Sequence, residues 1–216
     1  HAPYSLSRLL AAGLAGAQGR QGRYSLHFLE SGQEREYYAG TGPLRALFER
    51  WGLPAQAWAK SPVDFAQAAI PAGAQALFVH CTELGREERQ ALEAHCAAWF
   101  VLCPRANLFI SNKLPNPAAF NWAGGRMALG TDSLASNSSL ELLEEIYALQ
   151  AAYPALPTPA LLRAATEGGA GALGMPQLGA FAAGCRPGAW LLQTQGGRAP
   201  SPHAPLPPGC RLRRVV

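Results

Sequence analysis

Three short apolar runs in this chain end in residues that a protein core rejects. Met127–Leu129 leads into Gly130-Thr131-Asp132-Ser133-Leu134-Ala135-Ser136-Asn137. Residues 24–26 lead into His27, with Glu30 just beyond, and residues 76–79 lead into His80. A buried carboxylate is costly unless it is paired, hydrogen-bonded or held on a metal. A single Asp in such a place reads as the cap of a turn. The same arrangement three times over reads as one constellation.

The segments between these runs supply the fold. Strands are predicted over 23–29, 75–79, 99–102 and 126–129, and residues 1–3 read as the end of a further strand. Helical stretches fall between them: 6–17 behind a Ser5 cap, then 34–38, 43–51, 63–69 and 87–97. Ser138 with Glu141 has the spacing of a capping box for a helix that reaches Tyr153. A last helix, 159–165, is expected to break at Gly168 and Gly169. Beyond it lie a β-like run at 189–193 and a Pro-rich stretch, 196–210, that reads as extended or poorly ordered.

Short apolar strands alternating with helices specify an α/β protein with a parallel sheet covered on both faces. Reactive residues at several strand ends suit a doubly wound sheet or a (β/α)8 barrel. No GxGxxG follows a strand and no GxxxxGK[ST] occurs, so the nucleotide-binding form of the doubly wound sheet loses its main support. The barrel fits better. A whole barrel takes about 250 residues, so four strands read as its C-terminal half. Residues 1–175 are that partial barrel, about strands four to eight, and 176–216 are a small β-rich return segment with a Pro-rich tail. The missing N-terminal half of the barrel is then the chain's first partner.

Composition removes other classes. Charged residues make up 15% of the 216, the net charge is +4, and much of that sits at Arg211, Arg213 and Arg214. No Lys/Arg stripe interleaves with aromatics, which argues against nucleic acid. No apolar run nears the roughly 18 residues of a membrane span. The five cysteines are odd in number and form no CxxC pair. That argues against a disulfide framework or zinc knuckle and for a reducing, cytoplasmic compartment.

The chemistry follows from the strand ends. His27, His80 and Asp132 would meet at one mouth of the sheet, and imidazoles with a carboxylate suit zinc or iron. His27 and Glu30, three apart across a strand end, could face one substrate, one on a metal and the other moving protons. Either His could instead be merely hydrogen-bonded, and Glu30 could cap the next helix. His95 and His203 have no such company and read as structural or solvated.

The segments HAPYS (1–5), HFLES (27–31), FVHC (78–81), CPRAN (103–107) and LGTDSLASN (129–137), with AATEGGAGALG (164–174), resemble the amidohydrolase superfamily. The likeness is to its cytosine, guanine and S-adenosylhomocysteine deaminase and chlorohydrolase branch, which includes aminofutalosine deaminases. It covers nearly all of residues 1–195. It implies hydrolytic deamination of a purine-like or other N-heterocyclic small molecule by a metal-activated water. The implied cofactor is one divalent metal, zinc before iron. His27 and Asp132 match metal ligands, and Asp132 also the general base. Glu30 matches the proton shuttle to the ring nitrogen, and His80 the residue that polarises the reacting oxygen. His1, Glu30, Ser133 and Asn137 match the substrate-binding side. A homodimer is compatible with the likeness.

Two departures stand out. The paired histidines of the HxH motif are absent, and the segment 178–192 has Trp190 and Arg186-Pro187-Gly188 where the family commonly has an acid and a Gly-Lys turn. The first departure supports an alternative: a catalytically incomplete fragment or pseudoenzyme that serves as an interaction module.

Overall fold

The computed structural model describes residues 1–201 and 204–215. The chain divides into two compact units, His1–Val101 with Lys113–Phe120, and Leu102–Asn112 with Asn121–Val216.

The first unit is built on parallel strands β1 (Arg23–Phe28), β2 (Gln75–His80) and β3 (Ala97–Leu102), in that spatial order. Buried positions alternate along each strand, so Phe28, Phe78 and Phe100 share one face. Their rings meet in series, Phe28 edge-on to Phe78 at 5.0 Å between centroids and Phe78 stacked on Phe100 at 5.9 Å. Aromatic rings bury large areas, and this row anchors the strands in register.

Parallel strands need long crossovers. Between β1 and β2 these are α2 (Gly32–Tyr38), α3 (Gly42–Arg50) and α4 (Pro62–Ala69); α5 (Arg86–His95) joins β2 to β3, and α1 (Arg8–Gln18) precedes β1. The cap of α1 is Ser7, which accepts from the amide of Leu10 at 3.2 Å, and not Ser5 as expected. Ser5 is already used: its hydroxyl donates to the Ala2 carbonyl at 2.8 Å in a 3₁₀ turn, Pro3–Ser5, which also replaces the expected strand end. Ser61 caps α4 through the Asp64 amide, with Pro62 at the first helical position. His95 is structural, its Nε2 donating to the Ile70 carbonyl at 2.8 Å.

The second unit begins at Leu102, the last residue of β3. Its carbonyl accepts from the Gly130 amide at 2.9 Å, just past β4 (Met127–Leu129). Helix α6 (Pro104–Ser111), which the sequence reading did not anticipate, starts on a proline and stops at Asn112 in a left-handed conformation, φ 49°. Helix α7 (Leu142–Ala152) starts later than the Ser138–Glu141 box implied, because the Ser138 hydroxyl accepts from the Arg105 guanidinium instead of capping.

Helix α8 (Thr158–Arg163) does not break at the glycine pair. It runs through a wide π turn, Ala164–Gly168, into α9 (Gly169–Ala172), and both glycines keep helical φ, −63° and −58°. Gly168 has another purpose. A Cβ placed there would lie 2.0 Å from the Met127 carbonyl oxygen, so only glycine lets the helix approach β4 this closely.

The C-terminal strands β5 (Trp190–Gln193) and β6 (Arg211–Arg214) pair antiparallel. The described part of the Pro-rich stretch is pinned in place. Thr158 donates to the Ala204 carbonyl at 2.7 Å, Gln150 accepts from the Leu206 amide at 3.2 Å, and Tyr147 bonds Pro207 and Cys210. His203 lies outside the described residues. Among the described residues, no helix is long and apolar enough to cross a membrane.

Candidate metal and proton-transfer site

In the parallel register His27 lies beside Val79, and Phe28 beside His80. Strict alternation would therefore send His80 to the aromatic face. The backbone prevents this. His80 and Cys81 are left-handed, with φ 73° and 54°, and the ring of His80 meets that of His27. Nδ1 of His27 and Nε2 of His80 are 2.9 Å apart, and the rings lie 22° from parallel.

A matching reversal ends β1. Leu29 has φ 47°, and Glu30 Oε1 comes to 3.4 Å from His80 Nε2. Left-handed non-glycine residues cost about 1–2 kcal/mol each, so something must hold them. Part of the hold is backbone pairing between the two strand ends: Cys81 N–H to the Phe28 carbonyl at 3.0 Å, and Glu83 N–H to the Leu29 carbonyl at 2.9 Å. A bidentate Arg35–Glu88 pair, at 2.8 and 2.7 Å, ties α2 to the first turn of α5. Among the described non-glycine residues, positive φ occurs at Leu29, His80, Cys81 and Asp132, all at or beside expected site residues, and at the end of α6.

His27, Glu30 and His80 each present a ligand atom, all within 4.8 Å of one another. Two imidazoles and a carboxylate form a donor set that fits zinc or iron. His80 is fully buried, Glu30 is partly open, and His1 stands with its ring centroid 5.3 Å from that of His27. Of the expected site residues, the first unit thus holds His1, His27, Glu30 and His80 as one group.

Asp132, Ser133 and Asn137 belong to the second unit. Asp132 is left-handed, φ 57°, and its Oδ2 accepts from the Ser136 hydroxyl. Ser133 is exposed, and its hydroxyl accepts from the Ala135 amide at 3.2 Å. The Asn137 amide donates to the Thr131 carbonyl at 2.8 Å and to Glu145 Oε1 at 2.6 Å. Glu145, fully buried, also accepts from the Arg105 amide at 2.9 Å, so it ties the Asp132 loop to the start of α6.

Sequence reasoning missed Glu34. It is 1% exposed, and burial pushes its carboxyl up to about 8 against the opposing pull of the Leu29 and Glu30 amides. The signal was present in Ser31-Gly32-Gln33-Glu34, the spacing of a capping box.

A pH dependence follows. The folded state keeps Glu34 protonated to about pH 8, whereas the unfolded chain releases that proton near 4.5. The Glu34 contribution is therefore full below pH 4.5 and is lost as pH rises to about 8. The slope is at most about 1.4 kcal/mol per pH unit. Glu34→Gln should flatten that slope when urea melts at about pH 5 and about pH 8 are compared. Equal slopes in both proteins would refute the assignment.

Comparison with known proteins decides the family. Residues 29–203 match the amidohydrolase family. The chain belongs to the amidohydrolase family. This amidohydrolase is 35% identical over 117 residues to a 5-methylthioadenosine/S-adenosylhomocysteine deaminase of Halalkalibacterium halodurans, covering 51% of the chain and 27% of the relative. Its structure is similar to that of the Helicobacter pylori aminofutalosine deaminase, with TM-score 0.72 and 27% identity, over 81% of this chain and 45% of that one. An adenosine deaminase from Xanthomonas campestris with bound zinc gives TM-score 0.59 and 25% identity, over 82% and 39%. The amidohydrolase chain thus spans from about a quarter to under half of the length of these relatives. Its fold is part of a (β/α)8 barrel, the class to which the strand ends pointed.

Proposed function

We propose that this amidohydrolase chain carries the proton-transfer side of a metal-dependent deaminase acting on a purine-like N-heterocycle. The carrying observation is the convergence of His27, Glu30 and His80, with ligand atoms within 4.8 Å. The methylthioadenosine and aminofutalosine deaminases among its relatives support the substrate class.

When bound, the metal, zinc before iron, supplies the Lewis acidity that brings a water into reach of a general base near neutral pH. His27 holds it, together with Asp132 on the strength of the family likeness. Asp132 accepts the proton of the attacking water. Glu30 delivers a proton to the ring nitrogen beside the carbon under attack, so that charge does not build up there. His80, fixed between His27 and Glu30, polarises the oxygen being added. Asp132 passes the proton it accepted to the exocyclic amine, the carbon–nitrogen bond breaks and ammonia leaves, and the second proton of the added water restores Glu30. His1 and Ser133 lie on the substrate side, and Asn137 steadies the Asp132 loop.

The test is elemental analysis of the purified protein together with ammonia release from 5′-methylthioadenosine. About one equivalent of divalent metal with catalytic ammonia release is expected. A metal-free protein that still turns over would sink the proposal. A protein that binds metal yet releases no ammonia from any adenine nucleoside would favour the interaction module.

A further inference from the structure

Residues 130–141, between β4 and α7, belong to no helix or strand, yet Asp132 within them holds φ 57°. A left-handed residue other than glycine persists only where its surroundings dictate it. The Ser136 hydroxyl meets the Asp132 side chain and leaves the backbone to other groups. One of these is close by. The Thr131 carbonyl belongs to the peptide that joins Thr131 to Asp132, and the Asn137 side-chain amide donates to it at 2.8 Å. A peptide is planar, so holding its oxygen sets the plane from which the Asp132 side chain departs.

Asn137 is in turn set by Glu145. The same amide nitrogen donates to Glu145 Oε1 at 2.6 Å, and Glu145 Oε2 accepts from the Arg105 amide at 2.9 Å. Asn137 Oδ1 accepts from the Ser139 amide at 3.3 Å. Both neighbours of Glu145 are donors, and only a carboxylate offers an acceptor to each. Glu145 is fully buried and Asn137 nearly so. Among the described residues, neither has a buried side-chain oxygen or nitrogen without a partner. Fully satisfied polar networks of this kind are rigid. A buried carboxylate is a costly way to pack a helix, and an apolar side chain often serves a core as well. This one spends its two bonds on the Asp132 loop and the start of α6.

We propose that Glu145 is a positioning residue for Asp132. It orients the Asn137 amide, which holds the Thr131–Asp132 peptide and so aims the Asp132 carboxylate. The proposal rests on the reading of Asp132 as metal ligand and proton acceptor. Glu145 touches neither metal nor substrate on this account. Glu145→Gln keeps the shape but loses one acceptor. If glutamine keeps the Arg105 bond, its own NH2 faces Asn137, which must turn over and set its oxygen against the Thr131 carbonyl.

The experiment compares Glu145→Gln, Asn137→Ala, their double variant, Asp132→Asn and Ile146→Val in the naturally expressed protein. Zinc affinity is read by competition with a chromophoric chelator, and kcat and KM with 5′-methylthioadenosine at saturating zinc. Glu145→Gln should weaken zinc binding roughly 10–100-fold, the usual cost of disturbing a group that orients a ligand. Its kcat should fall by roughly 10–100-fold with KM moved less than about threefold, because Asp132 serves the water and not the heterocycle. Asn137→Ala should do the same, and the double variant should lie within about threefold of either single one. Ile146 is buried beside Glu145 on α7. Ile146→Val should lower the melting temperature and leave zinc affinity and kcat as in wild type.

A folded Glu145→Gln protein with wild-type zinc affinity and kcat overturns the proposal. So does one that fails to fold, since Glu145 would then serve the fold and not the site. Losses that multiply in the double variant overturn it too, because Glu145 would not be acting through Asn137. Equal weakening of zinc in Ile146→Val overturns it by tracing the effect to stability alone. If Asp132→Asn itself keeps wild-type zinc affinity and kcat, the ligand reading has failed and takes the proposal with it. If Asp132→Asn loses both while Glu145→Gln loses neither, only the positioning role has failed.

Discussion

Glu30→Gln is expected to retain its metal and to lower kcat by roughly 10²–10⁴-fold, the usual loss when a positioned acid is removed. The amide keeps the volume of the side chain and can still approach His80 Nε2, now 3.4 Å from the Glu30 carboxylate. It has no proton to deliver to a ring nitrogen. Substrate affinity should change little, so the loss falls on kcat and not on KM. Elemental analysis beside steady-state kinetics measures both quantities. Because Glu30 lies among three groups that could each contact a metal, one result would reverse the roles. An emptied metal site in Glu30→Gln would make Glu30 a ligand, and the proton carrier would have to be sought elsewhere.

Asp132→Asn should take away metal and turnover together. Two functions meet in one carboxylate under the proposal, a ligand charge and a proton acceptor, and the amide supplies neither. The substitution is otherwise mild. Asparagine tolerates the left-handed backbone at this position, φ 57°, about as well as aspartate does, and it can still accept from Ser136. A cooperative melt close to wild type, with metal well below one equivalent and no ammonia release, is the expected result. An Asp132→Asn protein with full metal occupancy and undiminished rate would remove Asp132 from the site.

The strand ends were legible because the physics there is local. An apolar run of a few residues that stops at His or Asp leaves little choice about where the polar group goes, and the four strands came out close to their observed limits. Helix ends were harder, because caps compete. Ser5 and Ser138 have good capping chemistry, but their hydroxyls are committed to the Ala2 carbonyl and the Arg105 guanidinium. Gly168 and Gly169 looked like a stop signal, yet the helix runs through both, and Gly168 serves a close contact with β4. Strand β6 was missed because Arg211, Arg213 and Arg214 read as a solvated basic end, whereas backbone pairing with β5 makes them a strand with exposed side chains. Glu34 was missed because its burial depends on tertiary packing, which composition and periodicity do not report.

The left-handed backbone at Leu29, His80, Cys81 and Asp132 also bears on how this protein can change. Such residues each give up of the order of 1–3 kcal/mol of fold stability. Leu29 and Cys81 are both fully buried, so glycine there would release the strain but leave a cavity, and truncating a buried leucine costs about 2–5 kcal/mol. Packing therefore locks the strain in: neither turn can be relaxed by a single exchange without loosening the core behind it. The margin of stability that the strain consumes has to come from elsewhere, such as the aromatic row of the strands.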